Sequence, residues 1–121
     1  MEKEFIELFK GYEGDFGMAD MANTALDSEK NKIKPNYEWA GRPVTDTDYR
    51  NHLLGKKSIG IQPCKIDSTV QFGCIDVDPP DYGTFKVEHY LSLFQQYKLP
   101  IVPILSKSGG LHCYVFLKEP I

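Results

Sequence analysis

The chain has 121 residues, 41% of them hydrophobic and 26% charged, and a net charge of −3 from 14 Lys and Arg against 17 Asp and Glu. This length bounds it to one domain at most, and the composition is that of an ordinary globular protein, which excludes a disordered chain. The acidic balance excludes a histone-like, purely electrostatic nucleic-acid binder, but not an enzyme whose acidic site needs cations.

Phe5, Leu8, Phe9 and Tyr12 recur at helical spacing with Glu4, Glu7 and Lys10 between them, which predicts a short amphipathic helix ending near Gly11. Residues 13–40 are rich in Gly, Asp, Asn, Lys and Ala, and Met18 to Leu26 has room for a helical turn or two. Lys30-Asn31-Lys32-Ile33-Lys34-Pro35 is a basic stretch. It reads first as a solvated loop and second as a phosphate-contacting arm for a template strand, with Lys32 and Lys34 as the contacts. Thr45 and Asp48 have the spacing of a capping box, so a helix should run through Tyr49, His52 and Leu53 to a stop at Gly55. Strands are expected at 58–63 and 69–78, joined by a polar turn at Lys65–Ser68, and an antiparallel hairpin is the default pairing. Val87, Tyr90, Leu91 and Phe94 mark a helix face that ends near Lys98, before Pro100. Strand 101–106 contains Pro103, which suggests an edge position or a bulge. The last strand, 112–118, puts His112, Tyr114 and Phe116 on one face and Cys113, Val115 and Leu117 on the other. The order suggests an α+β fold, an antiparallel or mixed sheet with helices on one face.

Two segments carry the chemistry. Val70 to Asp78 is an apolar run ending in Asp76-Val77-Asp78, and Pro79-Pro80 should stop the strand there. Side chains at i and i+2 of a strand share a face, so both carboxylates point the same way. Mg²⁺ and Mn²⁺ are hard ions that prefer such oxygen ligands. About thirty residues on, Ser106-Lys107-Ser108-Gly109-Gly110-Leu111-His112 reads as a Gly-rich turn between strands. Gly109 and Gly110 allow a ligand close to the backbone, Lys107 supplies positive charge, and Ser108 and the loop N–H groups can meet a phosphate. His112, opening the next strand, is placed to donate to a phosphate oxygen. Together these are parts of a metal-assisted nucleotidyl-transfer site.

Each part also has a plainer reading. Asp76 and Asp78 can simply end a strand before a Pro turn. His112 can be a hydrogen-bonded structural histidine, and Gly109-Gly110 only a hairpin turn. Trp39, with Tyr37 near it, can stack a base, though an isolated Trp is more often a core anchor. Arg42 and Arg50 are candidate template contacts with no motif behind them. Cys64, Cys74 and Cys113 show no Cys-x-x-Cys spacing and lie in apolar contexts, so buried free thiols are expected. No apolar stretch reaches transmembrane length and the start, Met1-Glu2-Lys3-Glu4, is not a signal peptide. A cytoplasmic protein without membrane contact is the expectation.

The wording of these motifs resembles a known family. A hydrophobic strand ending in Asp76-Val77-Asp78 resembles the first motif of the archaeo-eukaryotic primase superfamily, and Gly110-Leu111-His112 resembles its second. Pro43-Val44-Thr45, His52 to Gly55 and Ile59 to Pro63 are similar to the entry of primase-polymerase domains from bacteria, phages and mobile elements, with the conflict-system (TOTE-type) primases the nearest group. The resemblance covers roughly residues 40–121, which implies an N-terminal helix and polar, basic segment at 1–40 and a primase-like palm at 41–121. It implies an RRM-like palm and a DNA primase/polymerase activity. Asp76 and Asp78 would hold Mg²⁺ or Mn²⁺, while Lys107, Ser108, Gly109, Gly110 and His112 would contact the triphosphate of an incoming nucleoside triphosphate. The partner would be a single-stranded DNA template. The family's third motif, a further carboxylate on a later strand, would lie after Ile121, so the chain is expected to be the N-terminal part of a longer catalytic domain, with a helicase among the candidates for the remainder. Two alternatives stand beside this reading: a nucleotide- or nucleic-acid-binding replication module of the same superfamily that does no chemistry, and a nucleotide-sugar transferase, which also uses Asp-x-Asp but usually on a repeated βα pattern absent here.

Overall fold

A computed structural model describes residues 1–20, 36–78, 86–106 and 109–121. Among these residues the fold is mixed α/β, with three helices and two small antiparallel sheets. The chain packs as two compact units, Met1–Val70 and Gln71–Ile121.

The first unit contains α1 (Glu2–Leu8), β1 (Gly17–Asp20), β2 (Glu38–Trp39), α2 (Asp46–Leu53) and β3 (Lys57–Gly60), with strands in the order β2-β1-β3. Helix α1 carries Glu2 and Glu4 in its first turn, the favourable end of the dipole for acids. Its Phe5 packs on Phe9, with ring centroids 4.6 Å apart, and meets Tyr49 of α2 edge-on at 6.3 Å. Arg50 ties the two helices through a 3.0 Å bond to Glu2. Tyr49 is buried and its hydroxyl donates to the Phe9 carbonyl at 3.0 Å. Burial, with a lesser contribution from Asp46, pushes that phenol up to about 12.

The predicted capping box at Thr45 is present and grows into a larger knot. The Thr45 hydroxyl accepts from the Asp48 backbone N–H, and Asp48 accepts from the Thr45 N–H at 2.8 Å. The Arg42 guanidinium then grips both Asp48 oxygens at 2.8 Å each. Arg42 also lies over the fully buried Phe16 ring, 5.2 Å from its centroid. The Asp48 side chain is only 10% exposed, and the arginine fork with the Thr45 bonds holds its carboxyl far below the usual range.

The second unit contains β4 (Phe72–Val77), α3 (Val87–Gln96), β5 (Val102–Leu105) and β6 (Leu111–Phe116), in the order β4-β6-β5. Its core is Val77, Leu111 and Cys113, with Val87, Tyr90 and Phe94 of α3 and Ile101 packed against it. Alternation along β6 therefore sends Leu111 and Cys113 toward the helix, while His112, Tyr114 and Phe116 face the other way. Leu91, expected on the buried face of α3, stands 40% exposed. Pro103 sits on β5, an edge strand, as its missing N–H requires.

Three expectations change. Strands β3 and β4 do not form a hairpin: β3 pairs with β1 in one sheet and β4 with β6 in the other. The polar turn is still there, closed by a Lys65 to Thr69 backbone bond and the single bridge Cys64–Val70, but it separates the units instead of joining two paired strands. The helical turn expected from Met18 fails at its start, because Gly17–Asp20 is strand β1, paired on both sides; residues 21–26 lie outside the described residues. All three cysteines are free, yet only Cys113 is buried, since Cys64 lies in the turn and Cys74 on the sheet face away from α3.

Two outcomes follow from the packing. Asp48→Ala removes the cap and strands the Arg42 fork, so chemical denaturation should show a loss of about 2–3 kcal/mol. Because the folded pKa of Asp48 is depressed, its contribution is complete above the ordinary carboxylate value of 3.8 and is lost as pH falls from there through the folded value. Asp48→Asn should flatten the acid limb of stability over that window. Separately, a Cβ at Gly11 would lie 2.1 Å from the Gln62 carbonyl, whose oxygen accepts the Tyr12 N–H. Gly11→Ala should lower the melting temperature, with a cost of about 1–3 kcal/mol from overpacking, whereas Gly73→Ala, which meets nothing within 4 Å, should not.

Candidate functional site

Asp76 lies near the end of β4 and Asp78 immediately follows that strand. In the register of β4 against β6, Asp76 is the direct cross-strand partner of His112. The imidazole Nε2 is 3.6 Å from Asp76 Oδ1, too long for a hydrogen bond but within ion-pair range when the ring is protonated. Both side chains are well exposed, at 59% for Asp76 and 41% for His112. On the other side of β6, His112 is paired with Ile104 of β5, so it stands on the central strand of the sheet, on the face away from α3.

The β5–β6 hairpin that presents His112 is closed by Ser106 and Gly110. The Ser106 N–H donates to the Gly110 carbonyl at 2.9 Å, and the Gly110 N–H donates to the Ser106 hydroxyl at 3.0 Å. Gly109 donates to the Ser106 carbonyl and has φ +86°, a left-handed conformation that disfavours any side chain. Gly110 is buried. The two glycines thus have different jobs: Gly109 makes the turn, and Gly110 seats it. Lys107 and Ser108, at the tip, lie outside the described residues.

Two neighbours of this site were not singled out from sequence. Ser106 braces the hairpin through its own hydroxyl. Tyr114 meets His112 edge-on at 6.3 Å and lies across from Cys74. Burial raises both the Tyr114 phenol and the Cys74 thiol, and Asp76 adds to both shifts. The available signal was the period-two alternation His112, Tyr114, Phe116, which places the three on one face.

The candidate nucleic-acid contacts fare differently. Lys32 and Lys34 lie outside the described residues. Arg42 and Arg50 are engaged within the first unit, by Asp48 and Glu2. Among the described residues, no group of three or more His, Cys, Asp and Glu is arranged to hold a metal ion. The aspartate pair nevertheless suits Mg²⁺ or Mn²⁺, because Mg²⁺ commonly takes one or two carboxylates and fills its octahedron with water and substrate phosphate. Asp76, 59% exposed at the end of β4, keeps carboxylate oxygens that such an ion can use, and Asp78, half-buried, follows directly after the strand. No helix among the described residues is long and apolar enough to cross a membrane.

A comparison with curated proteins finds none that matches the chain. The family model for the archaeo-eukaryotic primase domain of the TOTE conflict system matches residues 6–121, nearly the whole chain, and the chain therefore belongs to that family, within the archaeo-eukaryotic primase superfamily.

Proposed function

We propose that the chain forms the metal- and nucleotide-binding part of a DNA primase-polymerase, with residues 41–121 contributing to an RRM-like palm. The observation that carries this reading is the cross-strand pairing of Asp76 with His112, both side chains exposed, on the sheet face away from α3. Asp76 and Asp78 would hold Mg²⁺ or Mn²⁺. The ion, when bound, neutralises charge on the triphosphate and on the pyrophosphate that leaves as a 3′ hydroxyl attacks the α-phosphate. His112 donates a hydrogen bond from its ring to a phosphate oxygen. Gly109 and Gly110 let the triphosphate approach the hairpin backbone, and Lys107 and Ser108 complete the anion contacts at its tip. The chain's share of the chemistry is positioning and charge matching, as in phosphoryl transfer generally. A single-stranded DNA template and a cytoplasmic setting complete the proposal.

A second reading has one observation in its favour. The two aspartates are not joined by a third ligating side chain among the described residues. A module that binds nucleotide and metal without joining nucleotides would need only these two.

Calorimetric titration of a nucleoside triphosphate with Mn²⁺ separates these readings from a structural role. The wild-type chain should bind only with the metal. Asp76→Asn should abolish that binding with little loss of stability, because the residue is exposed and a like-charge neighbour is relieved. His112→Ala should weaken it roughly tenfold or more, the worth of a charge-assisted hydrogen bond. Binding unchanged in both variants would remove the assignment. Template-directed extension by the chain would favour the enzyme, and binding without extension the second reading.

A further inference from the structure

The first unit has a groove that the aspartate–histidine site does not use. Gly17 is paired with Trp39 on one side and Gly60 on the other, so the three residues form one row across β2-β1-β3. Two members of the row have no side chain, which leaves a flat backbone floor. Tyr37 leans over it: a Cβ on Gly17 would lie 3.8 Å from the Tyr37 ring, and the Tyr37 hydroxyl is pinned 2.8 Å from the Ser58 hydroxyl. The cavity measures about 350 Å³ and is lined by these residues with Glu38, Ile61 and Gln62. Trp39 is 65% exposed and Tyr37 56%, so neither is a core anchor. Two large rings left more than half in water beside a glycine floor form an exposed apolar patch of the kind that marks a binding surface.

We propose that this groove takes an unpaired base of single-stranded DNA, stacked against Trp39 and Tyr37. The volume lies at the low end for ligand sites, about 300–1,000 Å³, which suits a flat ring with its sugar better than a folded peptide. Gln62 on the rim offers both a donor and an acceptor for a base edge. Lys56 is exposed just before β3, about 13 Å along the chain from Gly60, and supplies positive charge for a neighbouring phosphate, whereas alternation turns Lys57 to the face opposite Gly60. Stacking is sequence-tolerant, as template holding demands. The inference deepens the primase reading by placing part of the template contact, but it involves neither Asp76 nor His112.

Trp39 is the single tryptophan of the chain, so its fluorescence reports on the groove directly. Oligo-dT titrated into the full chain without divalent metal should quench it saturably, and Asp76→Asn should quench equally. Tyr37→Ala should weaken binding about fivefold to a hundredfold, the range for one stacked base. Gly60→Val should abolish quenching by filling the floor. Its Cβ would meet only the Gly17 carbonyl, at 4.0 Å, and a β-branched residue suits a strand, so the fold should survive. Absent quenching, or quenching indifferent to both substitutions, overturns the proposal, as would a groove built for a protein surface. If quenching fails while metal-dependent triphosphate binding persists, only the groove is wrong. If quenching holds and triphosphate binding fails, the groove stands and the primase reading falls.

Discussion

Strands β4 and β6 pair antiparallel from Phe72 opposite Phe116 to Val77 opposite Leu111, and the site depends on that register. It sets Asp76 against His112, two residues that sequence separates by more than thirty positions. Side chains alternate along both strands, so the same register puts Val77 and Leu111 together in the core. A slip of one residue would send His112 toward α3 and Leu111 into water. Burial of Leu111 and Cys113 thus holds the histidine in place on the opposite face.

This division separates stability from function within one sheet. The helix-facing side contributes hydrophobic energy, roughly 1.5–3 kcal/mol for a fully buried Leu. The other side carries the exposed carboxylate and imidazole, and below them a ladder of rings: Tyr114 and Phe116 stack at 5.9 Å, and Phe72 lies 6.5 Å from Tyr114 across the strands. Such cross-strand aromatic pairs add rigidity to the face on which a ligand must find its partners in fixed positions. Gly109, left-handed at the hairpin, allows the tight return that starts β6 at Leu111.

Much of this was legible in the sequence where the signal is local. Thr45 and Asp48 announced a capped helix, Gly55 with φ +69° its end, and Pro103 an edge strand. A strand carrying Asp76 and a strand opening near His112 were legible because strand periodicity and turn chemistry act over a few residues. What failed was non-local. Strand β3 has its partner in β1, some forty residues earlier, and β1 itself is four residues with a glycine at its head. Nothing local distinguishes that segment from a loop; its pairing on both sides makes it a strand. Trp39 read as a core anchor for the same reason, since only the glycine row beside it shows why the ring stays outside.

Asp48 and Asp76 show how two similar residues come to differ. Both sit near the end of a regular element, and both have a nitrogen base nearby, the Arg42 guanidinium for Asp48 and the His112 imidazole for Asp76. The Asp48 oxygens accept from Arg42 twice and from Thr45 through N–H and hydroxyl, and the side chain is nearly covered. A carboxylate so saturated has no lone pairs facing solvent to offer a metal, and its charge is spent on holding Arg42 and α2 in place. Asp76 has an imidazole at 3.6 Å and open solvent around it. Its oxygens keep their capacity, and an incoming cation displaces water instead of breaking a structural bond. The fold therefore distinguishes the two by saturation rather than by charge: Asp48 is committed to the packing of its own unit, whereas Asp76 keeps oxygens that face solvent.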